Sequence, residues 1–264
     1  MRQKTSSDAP RRHQLSWVEA GALCFVVAAM AVLGTLTVVE RRVESYRFFS
    51  QPGLIELEPL KKYGPERASL GYEEWIVRDH FQDRRNGVFL DVGANHYQLR
   101  SNTYFLETSL GWSGLAVDAL TEFAADYAAY RPNTRYVAMF ASDVADSSVQ
   151  FFVPENHLVS SASREFTSRY GAAGNAREVP TTTLTAVLEQ AGITKIDYLS
   201  MDIELAEPKA LAGFEIQRFR PDLVCIESHP EVRQQILEYF DRNGYVIVGK
   251  YLRVDPHNLY FKPG

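Results

Sequence analysis

Asp91, Gly93, Asn95 and Asp118 are the residues whose types and spacing first suggest chemistry. Val88, Phe89, Leu90 and Val92 make a short apolar run that suits a strand buried on both faces of a parallel sheet. The run closes on Asp91 and then Gly93, where a missing Cβ lets the chain turn sharply and lie close to a ligand. A second apolar run, 114–117, ends in Asp118. An acid about 20 residues beyond a glycine turn can accept hydrogen bonds from both vicinal hydroxyls of a ribose. The glycine alone would be an ordinary strand-to-loop turn. Strand, glycine and second acid together point to a nucleoside-bearing cofactor. A dinucleotide turn needs further glycines, so that backbone N–H groups can cradle a pyrophosphate. Here Gly93 stands alone, with Asn95 where the next glycine would fall. A ligand with a ribose and no phosphate, S-adenosylmethionine, fits better; a nicotinamide- or flavin-dependent oxidoreductase fits poorly.

Two later runs also end in acids. The strand predicted at 196–201 leads into Asp202, Glu204 and Glu207, and the one at 222–226 leads into Glu227 and His229. In a doubly wound sheet, ligands sit outside the carboxyl ends of the strands. Asp91, Asp118, Asp202, Glu204, Glu207, Glu227 and His229 are therefore expected around one crevice. A hydroxyl acceptor must lose its proton, and His229 or Asp202 is the candidate base, since an imidazole titrates near neutrality. Asp202, Glu204, Glu227 and His229 would also suit Mg²⁺ or Mn²⁺. Acidic strand ends are common without ions, so the reading is metal-free, with a divalent cation as the alternative.

Several ordered blocks add a family resemblance. Asp91-Val-Gly-Ala-Asn95, Ser101-Asn-Thr-Tyr-Phe-Leu-Glu107, Leu110-Gly-Trp-Ser-Gly114 and Asp197-Tyr-Leu-Ser-Met-Asp-Ile-Glu204 resemble the FkbM-type methyltransferases, from about residue 68 to the C-terminus. The resemblance implies a class I methyltransferase (Rossmann-like) fold: an α/β, doubly wound, mostly parallel seven-stranded sheet with helices on both faces. It also implies S-adenosylmethionine as methyl donor and O-methylation of a sugar or other hydroxyl. By position it makes Asp143, after the third strand, a contact to the adenine amino group; a turn-capping role is the structural alternative. The family commonly has glycine after the acid of its D-x-E segment, where this chain has Leu205. That departure leaves open a catalytically inactive binding or scaffolding module on the same fold.

The elements that must position these residues occupy 71–264, behind a polar tail (1–19), an uncharged apolar stretch (20–39) and a linker or collar (40–70) containing Pro52, Pro59, Gly64 and Pro65. About twenty residues at helical rise span roughly 30 Å, a bilayer's hydrocarbon core. A signal peptide's apolar region is shorter, at about 7–15 residues. A single-pass anchor is expected. Flanking charges (Arg2, Lys4, Arg11 and Arg12 before; Arg41, Arg42 and Arg47 after) do not orient it. A cytosol-made methyl donor favours a cytosolic domain, and a membrane address makes a glycan or lipid-linked hydroxyl the attractive acceptor beside other small molecules. The net charge of −5, with no basic patch, excludes nucleic acid as an expected partner. Cys24 and Cys225 lie too far apart in the expected fold to pair, and Cys225 reads as a small core residue. Residues 154–179, rich in Ser, Ala, Gly, Asn and Arg, read as a long loop: a lid over the site, or a floppy insertion.

Overall fold

The computed structural model of the chain describes residues 57–264, Ala173 excepted. These fall within one unit, Gly53–Gly264. The tail, the anchor expected at 20–39 and most of the linker lie outside the described residues. Among those that are described, no helix is long and apolar enough to cross a membrane.

The strands, in chain order, are β1 (Val88–Val92), β2 (Ser113–Asp118), β3 (Thr134–Ala138), β4 (Phe140–Ala141), β5 (Ser148–Val153), β6 (Asn175–Thr182), β7 (Tyr198–Met201), β8 (Leu223–Glu227), β9 (Tyr245–Ile247) and β10 (Asn258–Pro263). The helices are α1 (Glu73–Phe81), α2 (Tyr104–Leu110), α3 (Ala124–Tyr130), α4 (Arg164–Ser168), α5 (Leu184–Gln190), α6 (Glu207–Ala212), α7 (Ile216–Phe219) and α8 (Arg233–Arg242). A seven-stranded sheet runs β3-β2-β1-β7-β8-β10-β9. Its strands are parallel except β10, which lies antiparallel to both β8 and β9. The order reverses between β1 and β7, which puts their carboxyl ends beside the crevice where doubly wound sheets hold ligands.

The apolar run of β1 is continuous because both faces of the sheet are covered. Leu90 and Val92 join one core with Leu199, Met201, Val224 and Ile226, packed against Leu184 and Leu188 of α5 and Ile236 and Phe240 of α8. Phe89 turns to a second core with Trp75 and Ile76 of α1, Trp112, Leu223 and Cys225. Cys225 is fully enclosed there, and burial pushes its thiol well up, as suits an inert core residue.

Local geometry sets the ends of several elements. Helix α1 stops at Phe81, because Gln82 turns left-handed at φ 52°. Strand β3 begins at Thr134 and breaks at Met139, where the chain leaves the large sheet. Phe140 and Ala141 pair instead with Thr181 and Thr182 of β6, in a three-stranded sheet completed by β5. The expected collar contributes a 3₁₀ turn at Glu58–Tyr63, which buries Leu60 against Trp75 and Ile76.

Candidate cofactor hollow and acidic cluster

Gly93 makes the bend after β1. Its N–H donates to the Val117 carbonyl at 2.8 Å, and its φ is 81°. A Cβ there would lie 1.8 Å from the Asp202 carbonyl oxygen, so glycine is demanded twice over. Two residues on, the Asn95 N–H donates to Asp118 Oδ2 at 2.8 Å, and the Leu120 N–H donates to Oδ1 at 2.8 Å. The carboxylate closing β2 is thus fastened directly over the bend. Gly93, Asn95, Asp118, Asp202 and Glu204 share the lining of a hollow open to solvent, whose apolar wall includes Leu120, Phe140, Phe151 and Leu158. Burial, outweighing those two N–H bonds, lifts the Asp118 carboxyl to about 6. Each oxygen spends one lone pair on the backbone, and a carboxylate offers about four, so two vicinal hydroxyls can still be accepted. The residues present therefore fit the sugar of an adenosine.

Asp91 is placed differently from its neighbours in the motif. It is buried behind the hollow and accepts a 2.7 Å hydrogen bond from Thr103 Oγ1. Burial pushes its carboxyl up to about 6 against the pull of Thr103 and Arg131. Arg131 is itself enclosed, bonded to Glu107, to the Tyr97 and Thr103 carbonyls and to the Thr103 and Thr134 hydroxyls. The Ser-Asn-Thr block thus braces β1 from behind, with Asn102 Nδ2 also donating to Ser200 on β7 at 3.0 Å. Asp143 is exposed away from the hollow, accepting from the Ser142 hydroxyl at 3.0 Å and lying 3.8 Å from Lys209 Nζ. The wall of the hollow at that level is made by Met139, Phe140 and Ala141 instead.

Parallel pairing of β7 with β8 sets Met201 beside Ile226, so the acids that follow each strand converge. Carboxylate oxygens of Asp202, Glu207 and Glu227 lie within 4.8 Å of one another, as do ligand atoms of Glu204, Glu227 and His229. His229 Nε2 is 3.0 Å from Glu204 Oε2 and 3.1 Å from Glu227 Oε2, and its ring meets Phe166 edge-on. Burial, reinforced by Asp202 and Glu207, drives the Glu204 carboxyl up to about 9. Burial also lifts Glu207 to about 7, against hydrogen bonds from the backbone. Asp202 is exposed at the hollow, although neighbouring protein atoms crowd its carboxyl. That desolvation raises its carboxyl, opposed by the Glu227 carboxyl and the His229 charge. Glu227 is driven up by burial and by Asp202.

The turn holding these acids is strained: Glu204 and Leu205 both adopt left-handed backbone, with φ 53° and 78°. Leu205 therefore keeps the conformation that a glycine would adopt freely, and packs its side chain on the main core. Glu207 closes the turn by accepting the Ile203 N–H at 3.0 Å, and the Ser161 hydroxyl donates to the Glu204 carbonyl at 2.7 Å.

Within the segment expected as one loop at 154–179, the chain forms a 3₁₀ turn at His157–Val159, then α4, then the start of β6. His157, Leu158 and Ser160 line the hollow and were not singled out in the sequence. No periodicity marks them, because they belong to a single short turn.

The family profile described as Methyltransferase FkbM domain matches residues 91–247. Comparison with curated proteins finds no match. Among solved structures, a TehB-like SAM-dependent methyltransferase from Corynebacterium glutamicum is 13% identical, covering 85% of this chain and 97% of that one, with a TM-score of 0.40. The Burkholderia thailandensis 1,6-didemethyltoxoflavin-N1-methyltransferase, with bound 1,6-didemethyltoxoflavin and S-adenosylhomocysteine, is 15% identical over 88% and 90%, with a TM-score of 0.38. Precorrin-6y C5,15-methyltransferase from Geobacter metallireducens is 8% identical over 66% and 71%, with a TM-score of 0.40. Similarities this distant assign neither substrate nor site.

Proposed function

The chain belongs to the FkbM methyltransferase family and is an S-adenosylmethionine-dependent methyltransferase; from that premise we propose that it methylates a hydroxyl, on a sugar, glycan or lipid-linked acceptor. The observation that carries the reading is the Asp118 carboxylate, fastened 2.8 Å from the Asn95 N–H at the lip of the hollow. In this assignment Asp118 accepts the ribose hydroxyls, and Gly93 and Asn95 form the bend beneath them. When bound, the cofactor supplies a methyl carbon on a sulfonium, so that the acceptor oxygen gains a C–O bond as the C–S bond breaks. Asp202 and Glu204, both on the lining, orient the acceptor hydroxyl. Its proton passes to His229 Nε2, held 3.0 Å from Glu204. A proton-accepting cluster beside the hollow is what a neutral hydroxyl needs and what an already nucleophilic acceptor does not. Asp91 serves as a brace for β1 in this reading, and Asp143 has no part. The glycine-like backbone of Leu205 supports turnover over an inactive module, because the turn keeps its path despite the substitution.

Asp118 makes the cofactor assignment testable by pH. Its carboxyl stands at about 6, and the ribose hydroxyls need the ionised form as acceptor. Affinity for S-adenosylhomocysteine, measured by calorimetric titration, is expected to be level above pH 7 and to weaken about tenfold by pH 5. Asp118→Asn is expected to bind at least about tenfold more weakly at pH 7.5 and to lose that dependence. No binding heat from the folded wild-type chain, or an Asn variant with wild-type affinity, would sink the assignment.

We further propose that residues 20–39 anchor the chain in a membrane by a single pass, with the enzyme on the cytosolic side where the methyl donor is made. Twenty residues without a charge support this. The full chain is then expected to stay in the pellet when membranes are washed with alkaline carbonate. Release into the wash would count against an integral anchor.

A further inference from the structure

We propose that Asp202, Glu207 and Glu227 bind a divalent cation at the carboxyl ends of β7 and β8. The three carboxylates bring oxygens within 4.8 Å of one another. Ligand oxygens on an ion such as Mg²⁺ stand about 3.0 Å apart when adjacent and about 4.2 Å when opposite, so three oxygens within 4.8 Å are near enough to converge on one ion. Glu207 is 0% exposed; one of its oxygens accepts the Ile203 N–H, and the other, Oε2, is buried with no hydrogen-bond partner. Glu227 Oε2 is likewise enclosed, with the His229 ring nitrogen 3.1 Å away. Among the described residues no lysine or arginine pairs with Asp202, Glu204, Glu207 or Glu227, and His229 is the sole basic side chain in contact with the group. Carboxylates this close, one of them fully buried, repel one another unless they share protons or hold a positive ion.

An all-oxygen donor set favours Mg²⁺ or Mn²⁺ over softer metals. Asp202 opens onto the hollow, which gives an ion its route in. An ion there would lower the pKa of a hydroxyl presented from the hollow. That use rests on the O-methylation reading; the binding itself does not.

The test is titration of the full chain, freed of metal by chelator, with Mn²⁺ alone, following the free-ion electron paramagnetic resonance signal. Saturable binding of one Mn²⁺ per chain is expected, displaced by excess Mg²⁺. Glu207→Gln and Glu227→Gln are each expected to weaken it by about tenfold or more. Asp222→Asn, an acid at the opposite strand end paired with Lys195, is expected to leave it unchanged. Absence of saturable binding, or Gln variants within twofold of wild type, overturns the site. Should either variant fail to fold, wild-type melting decides, since Mn²⁺ must raise the melting temperature and an unmoved transition overturns the proposal. S-adenosylhomocysteine is titrated in parallel: its failure to bind while Mn²⁺ still does overturns the cofactor assignment and leaves the cation site standing.

Discussion

Gly93→Ala is expected to destabilise the chain by about 4 kcal/mol or more, and to abolish S-adenosylhomocysteine binding in whatever fraction still folds. Two costs combine. At φ 81° an alanine leaves its allowed region, which costs about 1 kcal/mol. The larger cost is contact: the added Cβ would stand 1.8 Å from the Asp202 carbonyl oxygen. That oxygen cannot swing aside, because the Asp202 N–H donates to the Val92 carbonyl at 2.9 Å and Met201 is registered against Val92 in the ladder. Relief requires prising β7 from β1 at the point where the hollow opens. Gly192→Ala separates the two costs, since Gly192 has φ 70° but nothing within 4 Å of its Cβ position. Urea denaturation should show about 1 kcal/mol lost in Gly192→Ala and several times that in Gly93→Ala. Equal losses would mean that the close approach of the two strands does not hold the bend.

How far the sequence foretold this arrangement depends on which signal each residue leaves. The strands of the large sheet were readable because both faces are covered, so Phe89, Leu90 and Val92 had to be apolar in succession. Asp118 was readable because a fixed stretch of chain must return from the glycine bend to the next strand end. The convergence of Asp202 and Glu227 followed from topology alone, once β7 and β8 were taken as parallel neighbours. Other features left no such mark. The outer half of β6 is exposed on both sides, so Asn175 to Glu178 show no alternation, and that half is held by its pairing with β5. The lining from His157 to Ser160 comes from a turn whose position is set by Phe123 and by the Phe152–Ser161 bridge, contacts remote in sequence. Asp91 and Asp143 show what position along a strand does not convey. Each stands at a strand end where an acid commonly meets a ligand. Local partners claim both instead: Thr103 and Arg131 turn Asp91 into the brace, and Lys209 draws Asp143 outward. The strand end fixes where a residue lies, whereas its competing hydrogen bonds fix what it does.

That brace carries the second large effect. Arg131 is 1% exposed and Glu107 5%, so the pair is an ion pair without solvent, tied to Asp91 through Thr103. Arg131→Met is expected to cost about 3–5 kcal/mol, because Glu107 would keep only the Thr134 hydroxyl and the Asn133 N–H to offset a buried charge. The Tyr97 and Thr103 carbonyls would lose a donor as well. Arg131→Lys should not rescue, since one ammonium cannot reach partners set around a planar fork. Glu107→Leu added to Arg131→Met should recover part of the loss, because no charge is then left buried alone. A double-mutant cycle in urea measures that recovery as a coupling energy. Single variants losing less than about 1 kcal/mol, or a cycle with no coupling, would show the pair to be incidental. The cofactor hollow supplies an independent readout. With Arg131 gone, the Thr103 hydroxyl loses the guanidinium donor that orients it toward Asp91, and the strand end carrying Gly93 loses that support. S-adenosylhomocysteine affinity should therefore fall in Arg131→Met even at temperatures where the variant remains folded, although Arg131 is absent from the hollow's lining.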